Sequence, residues 1–307
     1  MGALARVRRK LRDLRSYANI RGVVFFAQRR VRQSAPRRRI AGLVARFLPP
    51  AKPVDPQLAP DVRHLQDQGF VNLDGLVTPA MAEEMRRHFE KSKVFAPYLE
   101  HSPVVSLQEA AKLDSHVLQI ADQDLITCPH LLDIANDSKV LSIVEGAFGC
   151  KPTIGLMMAW WSVPTTDRKA RHAQLFHRDY DDVDFLKLFI YLNDVDSENG
   201  PHEFVRSSQL SPKLRGAGRY SDEEVAAAFP PDQIVSFTGP ASSAFIVNTT
   251  GLHRGLNVQK GTRLILQVVF SMLPMAYGPA RPFQRREFSS TNAAIDPYIN
   301  RVYVDHA

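Results

Sequence analysis

The sequence predicts an α+β domain whose body is a β-sandwich or barrel. Two observations predict it. Helical patterns occupy the chain up to about residue 149, whereas from Pro152 onward it breaks into short apolar or alternating runs separated by Gly, Pro, Asn and Asp. Helices first and strands afterwards give segregated layers, because a parallel sheet would need the two to alternate. With 44% hydrophobic and 23% charged residues over 307 positions, the composition is that of an ordinary soluble protein, and no apolar run is long enough to span a membrane.

Residues 1–48 read as a basic amphipathic arm. Residues 1–50 hold fourteen Lys and Arg against one acid, Asp13, while the whole chain carries only +7. The remainder is therefore net acidic, so no nucleic-acid partner is expected for the main fold. In MGALARVRRKLRDLRSY, Leu4, Val7, Leu11 and Leu14 recur at helical spacing with arginines around them. Three readings stay open. One is an interfacial helix on anionic lipid, a peripheral membrane contact helped by the later VVFFA stretch. The others are a basic extension or helix packed on the domain, and an Arg-rich transit segment. Myristoylation is unsupported, since Arg6 stands where Ser or Thr is needed.

Residues 49–60, PPAKPVDPQLAP, contain five prolines and form an extended linker. The main domain follows over 61–278, and 279–307 form a C-terminal tail. Within the domain, 61–69 is a short helix and 70–77 a strand or turn. Thr78-Pro79 starts a helix running to about Lys91, with a capping hydroxyl and proline at the first helical position. Residues 92–130 are mixed, and LLDIANDSKVLSIVEGAFG reads as one helix over 131–149 ending at glycine. The strands are TIGLMMAWWSV, AQLFHRDY, FLKLFIYLNDV, HEFVRSS, SAFIVNTT and TRLILQVVFSML. Only two cysteines, Cys128 and Cys150, occur; they make no CxxC pair, and the N-terminus lacks a secretory pattern. A cytoplasmic location is expected, with membrane association through the arm as the variant.

HRDYDDVDF, residues 177–185, carries the chemistry. His-Arg-Asp opens the catalytic loop of protein kinases, but Asn should then stand five residues after the Asp, where this chain has Asp184. No Gly-rich loop, Val-Ala-x-Lys strand or Asp-Phe-Gly accompanies it. On a strand, by contrast, positions i and i+2 share a face, so His177 and Asp179 converge while Arg178 points away. His253 follows an apolar strand run and supplies a second imidazole. Two imidazoles and a carboxylate make the facial set of non-haem Fe(II) oxygenases. Arg263, ten residues on, shares a strand face with Ile265 and Gln267, and its fork suits a carboxylate.

These residues resemble the phytanoyl-CoA dioxygenase family of Fe(II)- and 2-oxoglutarate-dependent oxygenases. The likeness runs over roughly 62–275, through LQDQGFVNLDGLVTPAMAEEM, FHRDYD, FIYLNDVDSENGPHEFVRSSQ and GLHRGLNVQKGTR. It implies a double-stranded β-helix (a cupin-like jelly roll) with flanking helices, Fe(2+) held by His177, Asp179 and His253, and 2-oxoglutarate anchored by Arg263, with O2 as oxidant. It also implies a small-molecule substrate. Halogenating members replace the metal Asp by a small residue; Asp179 is intact, so hydroxylation is expected. Where the family often has Pro-Gly-Ser-His, this chain has Arg206-Ser207-Ser208-Gln209.

Two further cosubstrate-site candidates are Gln174 and Lys187. Gln174 precedes His177 on the same run, although strand parity puts it on the opposite face unless a bulge intervenes. Lys187 interrupts an apolar strand beside Phe189 and Tyr191, where it either meets a carboxylate inside the barrel or snorkels to solvent. His172 and His202 read as structural, and one of Trp160 and Trp161 faces inward. The alternatives are a non-catalytic jelly-roll binding protein with a vestigial metal site, or a metal-dependent hydrolase or isomerase on the same scaffold. Substrate and oligomeric state are not legible.

Overall fold

A computed structural model describes residues 20–165, 169–289 and 295–306; the helix expected over Leu4–Leu14 lies outside them. Among the described residues thirteen strands run β1 (Phe70–Asn72), β2 (Lys93–Phe95), β3 (Val105–Ser106), β4 (Val117–Ile120), β5 (Thr153–Ser162), β6 (Phe185–Tyr191), β7 (His202–Val205), β8 (Ile234–Phe237), β9 (Ala244–Val247), β10 (His253–Gly255), β11 (Arg263–Ser271), β12 (Phe283–Gln284) and β13 (Val304–Asp305). Eight form one sheet in the order β1-β9-β6-β11-β5-β4-β2-β3, and β10-β7-β8 form a second. Between the sheets lies an aromatic cluster: Phe189, Tyr191, Phe245 and Ile265 from the large sheet meet Phe204 and Phe237 from the small one. The result is an α+β jelly roll.

Every residue of β6 and β11 is buried. This follows from layering. The inner face of β6 (Lys187, Phe189, Tyr191) looks into the roll, while Leu186, Leu188 and Ile190 on the outer face join the main core beneath the helices. Those helices include α1 (Ile20–Gln28), α2 (Ser34–Ala45), α3 (Ala59–Gln68), α4 (Pro79–Glu90), α5 (Leu131–Ala135) and α6 (Ser138–Phe148). Thr78 Oγ1 caps α4 by accepting from Met81 N at 3.2 Å, as the sequence predicts.

Three expectations change. The single helix over 131–149 is two, because Asp137 caps a new start: its Oδ1 accepts from Lys139 N (2.9 Å) and Val140 N (3.1 Å). AQLFHRDY is not a regular strand. His172 has φ +52°, outside the β region, and begins a 3-10 turn to Gln174; beyond it Phe176 bridges Tyr220, and His177 bridges His253. Residues 92–130 contribute β2–β4, which widen the large sheet.

The second half of the arm lies on the domain. Phe25, within VVFFA, is buried and meets Tyr277 edge-on at 4.8 Å. Arg37 is also buried and donates to the carbonyls of Gln28, Val31 and Asp182. The proline segment expected as extended over 49–60 lacks helix or strand only through Asp55, with Pro49 O accepting from Lys151 N at 2.8 Å; residues 56–58 turn, and Ala59 and Pro60 begin α3.

Candidate active site

The backbone of His177 and His253 pairs antiparallel, each N–H donating to the other's carbonyl at 2.9 and 3.0 Å. This bridge brings two distant sequence positions side by side, with ring centroids 4.2 Å apart. Asp179, two residues on, turns to the same side, and one ligand atom from each residue lies within 4.8 Å of the others. Each imidazole is oriented alike: His177 Nδ1 donates to Leu175 O (2.9 Å) and His253 Nδ1 to Gly251 O (3.0 Å). With both Nδ1 atoms donating to carbonyls, each Nε2 is turned toward Asp179, at 3.7 Å from Oδ1 for His177 and 3.2 Å from Oδ2 for His253. Burial, reinforced by the neighbouring His253, pushes His177 down to about 3, so it stands neutral.

Arg178 points away, as alternation requires. Its guanidinium donates to the carbonyls of Leu214 (2.8 Å), Ser208 (2.8 Å), Thr250 (2.6 Å) and Lys213 (3.0 Å), which fixes the backbone between His177 and Asp179. On the inner side Lys187 donates to Asp179 Oδ2 at 2.7 Å and pairs with Asp181 Oδ2 at 2.9 Å. Burial would raise the Asp179 carboxyl, but Lys187, His253 and His177 together outweigh it and hold the group well below the usual range. Lys187 thus meets carboxylates inside the roll, those of Asp179 and Asp181.

The trio opens on a cavity of about 350 Å³ between the sheets. Arg263, Ile265 and Gln267 line one wall from alternate positions of β11, and Trp160 faces in from β5, while Trp161 sits in the outer core. Arg263 is 5% exposed; it donates to Gly200 O and, through Nη2, to Ser162 Oγ at 3.0 Å, and its Nε has no partner. Gly255 makes room for it, since a Cβ there would stand 2.8 Å from Nη2. Gly200 adopts φ +80° in the Asn-Gly-Pro turn that presents its carbonyl. Gln174 reaches the cavity wall despite strand parity, because the 3-10 turn reorients it; its Nε2 donates to Asn257 Oδ1 at 3.0 Å.

Residues that sequence reasoning passed over also line the cavity. His202 is buried, stacks on His253 at 5.5 Å, and has no partner for Nε2; burial pushes it well down, so it is neutral. His116 is lowered to about 4 by burial, then by His172, and it too leaves Nε2 without a partner. Tyr98 stacks parallel to His116 (5.1 Å) and His172 (4.0 Å). His202 carried one signal: it follows Asn-Gly-Pro at the start of β7, whose register puts it opposite Gly255, two residues past His253.

The sequence profile of the phytanoyl-CoA dioxygenase (PhyH) family matches residues 65–254. The chain belongs to the phytanoyl-CoA dioxygenase family. Like that family, it is a non-haem Fe/2-oxoglutarate dioxygenase. The match includes His177, Asp179 and His253, and stops short of Arg263. Solved structures with the same fold include apo EctD from S. alaskensis, 14% identical over 80% of this chain and 86% of that one, with a TM-score of 0.52. The alpha-ketoglutarate-dependent epimerase SnoN from nogalamycin biosynthesis is 16% identical (70% and 81% covered, TM-score 0.50). The carbocyclase SnoK from the same biosynthesis is 18% identical (72% and 84%, TM-score 0.50). At these identities the likeness is one of fold. A comparison with curated proteins returned no match.

Proposed function

We propose that this member of the phytanoyl-CoA dioxygenase family hydroxylates an unactivated C–H bond of a small organic or lipid-like substrate, with release of succinate and CO2. His177, Asp179 and His253 would hold Fe(2+), and Arg263 the distal carboxylate of 2-oxoglutarate. The observation that carries the reading is the convergence of two imidazole Nε2 atoms and one carboxylate beside a buried arginine with an unused N–H. The donor set suits ferrous iron, since three protein ligands leave positions for cosubstrate and O2. The cavity also fits a polar guest: Arg263 Nε, His202 Nε2, Gln267 Nε2 and His116 Nε2 are all buried without partners.

When bound, the iron with 2-oxoglutarate and O2 supplies the oxidant. The protein's own residues orient and exclude. Arg263 offers a charged fork from a rigid strand, with Ser162 and Gly200 fixing its plane. Gly251 and Leu175 orient both imidazoles, and Lys187 restrains Asp179 Oδ2. Gln267, His202 and Gln174 stand on the cavity wall within reach of cosubstrate or substrate. Phe189, Trp160 and Ile265 keep the interior apolar and shed water.

The test is anaerobic. Fe(II)-loaded protein given 2-oxoglutarate should develop the visible metal-to-ligand charge-transfer band, lost in His177→Ala. Folded, iron-replete protein without the band would favour the non-catalytic jelly roll with a vestigial site. Hydroxylation is then separated from other oxidative outcomes by product mass, a gain of one oxygen atom against loss of two hydrogens or none.

A further inference from the structure

We infer that the outer face of residues 20–48 is a docking surface for an anionic membrane. Of eight large apolar side chains left exposed among the described residues, four lie on this short segment: Val23, Ile40, Leu43 and Phe47, the last 82% exposed. They form a pattern. Helix α2 presses Arg37 and Ala41 onto the domain, whereas Ile40, Leu43 and Phe47, spaced three and four apart, share a flank that faces out. Between α1 and α2 the flank continues into an apolar depression of about 310 Å³ lined by Val24, Ala27, Val31, Ile40 and Val183. Fold stability does not call for this arrangement, since each exposed group adds apolar surface in contact with water.

The charge next to that flank decides the occupant. Residues 20–48 contain eight arginines and no Asp or Glu. Arg39 and Arg46, seven positions apart, occupy the sector beside the apolar flank, are exposed, and make no ion pair among the described residues. An apolar stripe edged with arginine matches the layering of an anionic bilayer surface, acyl boundary beside phosphate. A protein partner would be expected to meet complementary acids on a shaped surface, and a nucleic acid would leave Leu43 and Phe47 without a role. The surface stands on a fixed base: Gln28 Nε2 donates to Tyr180 O at 2.7 Å, and Ser34 Oγ to Leu210 O at 2.9 Å. The inference is independent of the metal-site reading.

Flotation of the full-length chain with vesicles tests it, comparing phosphatidylcholine alone with phosphatidylcholine containing phosphatidylserine at physiological salt. Binding is expected only to the anionic vesicles. Arg39→Gln/Arg46→Gln should weaken it by roughly thirtyfold, about fivefold per charge. Leu43→Glu/Phe47→Glu should abolish it, with unchanged melting temperature and far-UV circular dichroism showing both double variants to be folded. Four results would overturn the inference: no binding to either vesicle, equal binding to both, full binding by both variants (which would move the contact to residues 1–19), or displacement of the chain from vesicles by a short DNA duplex at equal phosphate.

Discussion

Replacing Arg263 by Ala should raise the dissociation constant for 2-oxoglutarate by roughly a hundredfold. Arg263 is 5% exposed, and its donors reach Gly200 O and Ser162 Oγ, leaving Nε unused. A carboxylate arriving there would find a preoriented cation, with hydrogen bonds to charge worth about 1.5–3 kcal/mol each. Losing two such bonds, offset in part because free 2-oxoglutarate is well hydrated, leaves about 3 kcal/mol, or roughly two decades in affinity. Lysine at 263 keeps the charge but not the fork, so Arg263→Lys should cost about tenfold. The assay is anaerobic titration of Fe(II)-loaded protein, following the charge-transfer band, with a parallel titration of a 2-oxo acid that lacks the distal carboxylate. That control should bind wild type and Arg263→Ala alike. An unchanged 2-oxoglutarate dissociation constant in folded Arg263→Ala would refute the anchor, and so would equal weakening of the control.

Gly255→Ala puts a Cβ 2.8 Å from Arg263 Nη2. Displacing the fork should weaken 2-oxoglutarate by about 1–2 kcal/mol while Fe(II) affinity stays put; parallel loss of both would point to general distortion. Lys187→Met strands Asp179 and Asp181, whose carboxylate oxygens lie 2.7 and 2.9 Å from Nζ. Metal-free protein should lose about 3 kcal/mol in urea unfolding, and a change below about 0.5 kcal/mol would remove the pair from the fold's support. Asp182 is 4% exposed, and burial raises it to about 7, well above its unfolded value. A carboxyl raised in the folded state stabilises below its unfolded pKa, and that stability is lost as pH rises through the folded pKa. Asp182→Asn should therefore raise the melting temperature most at pH 8, by less at pH 5, and hardly at all near pH 4. A larger gain at pH 5 would reverse the assignment.

What could be read from the chain depended on whether the signal was local. His177 and Asp179 are two apart, so alternation alone puts them on one face, and the same rule aligns Arg263, Ile265 and Gln267 on the cavity wall. The break at Asp137 was legible in principle, as an acid with two free amides ahead of it, but the apolar period on both sides masked it. Gln174 was a candidate from the sequence, but parity, which assumes a strand, put it on the opposite face, and one positive φ at His172 cancels that assumption. His202 looked structural for want of sequence neighbours, yet its neighbours come from elsewhere: Phe189 from β6, Phe237 from β8, Phe245 from β9 and His253 from β10. Pairings over such separations belong to topology, which no window of sequence contains. The Tyr98–His116–His172 stack is of the same kind, with one ring coming from each of three loops or strand ends.

The segment bearing Asp179 is held from both sides, and the two holds differ in kind. Arg178, ahead of it, spends its guanidinium on four carbonyls rather than on an acid. Burial pushes it down to about 9, with Arg215 adding to the effect. Backbone carbonyls satisfy this buried charge without burying a further carboxylate beside it. Behind Asp179, Tyr180 and Asp182 have their carbonyls taken by Gln28 and Arg37 of the arm, and Asp182 Oδ2 accepts from Leu273 N at 2.8 Å. Asp181 is left to share Lys187 with Asp179. Each neighbour of Asp179 is thus fixed by a group outside the proposed ligand trio, so the carboxylate can stay in place without the imidazoles supplying its rigidity. Placement by surrounding bonds is what a three-ligand site needs if it is to keep positions open for cosubstrate. On this account the arm, whose outer face is the proposed membrane contact, is also a wall of the active site at one remove.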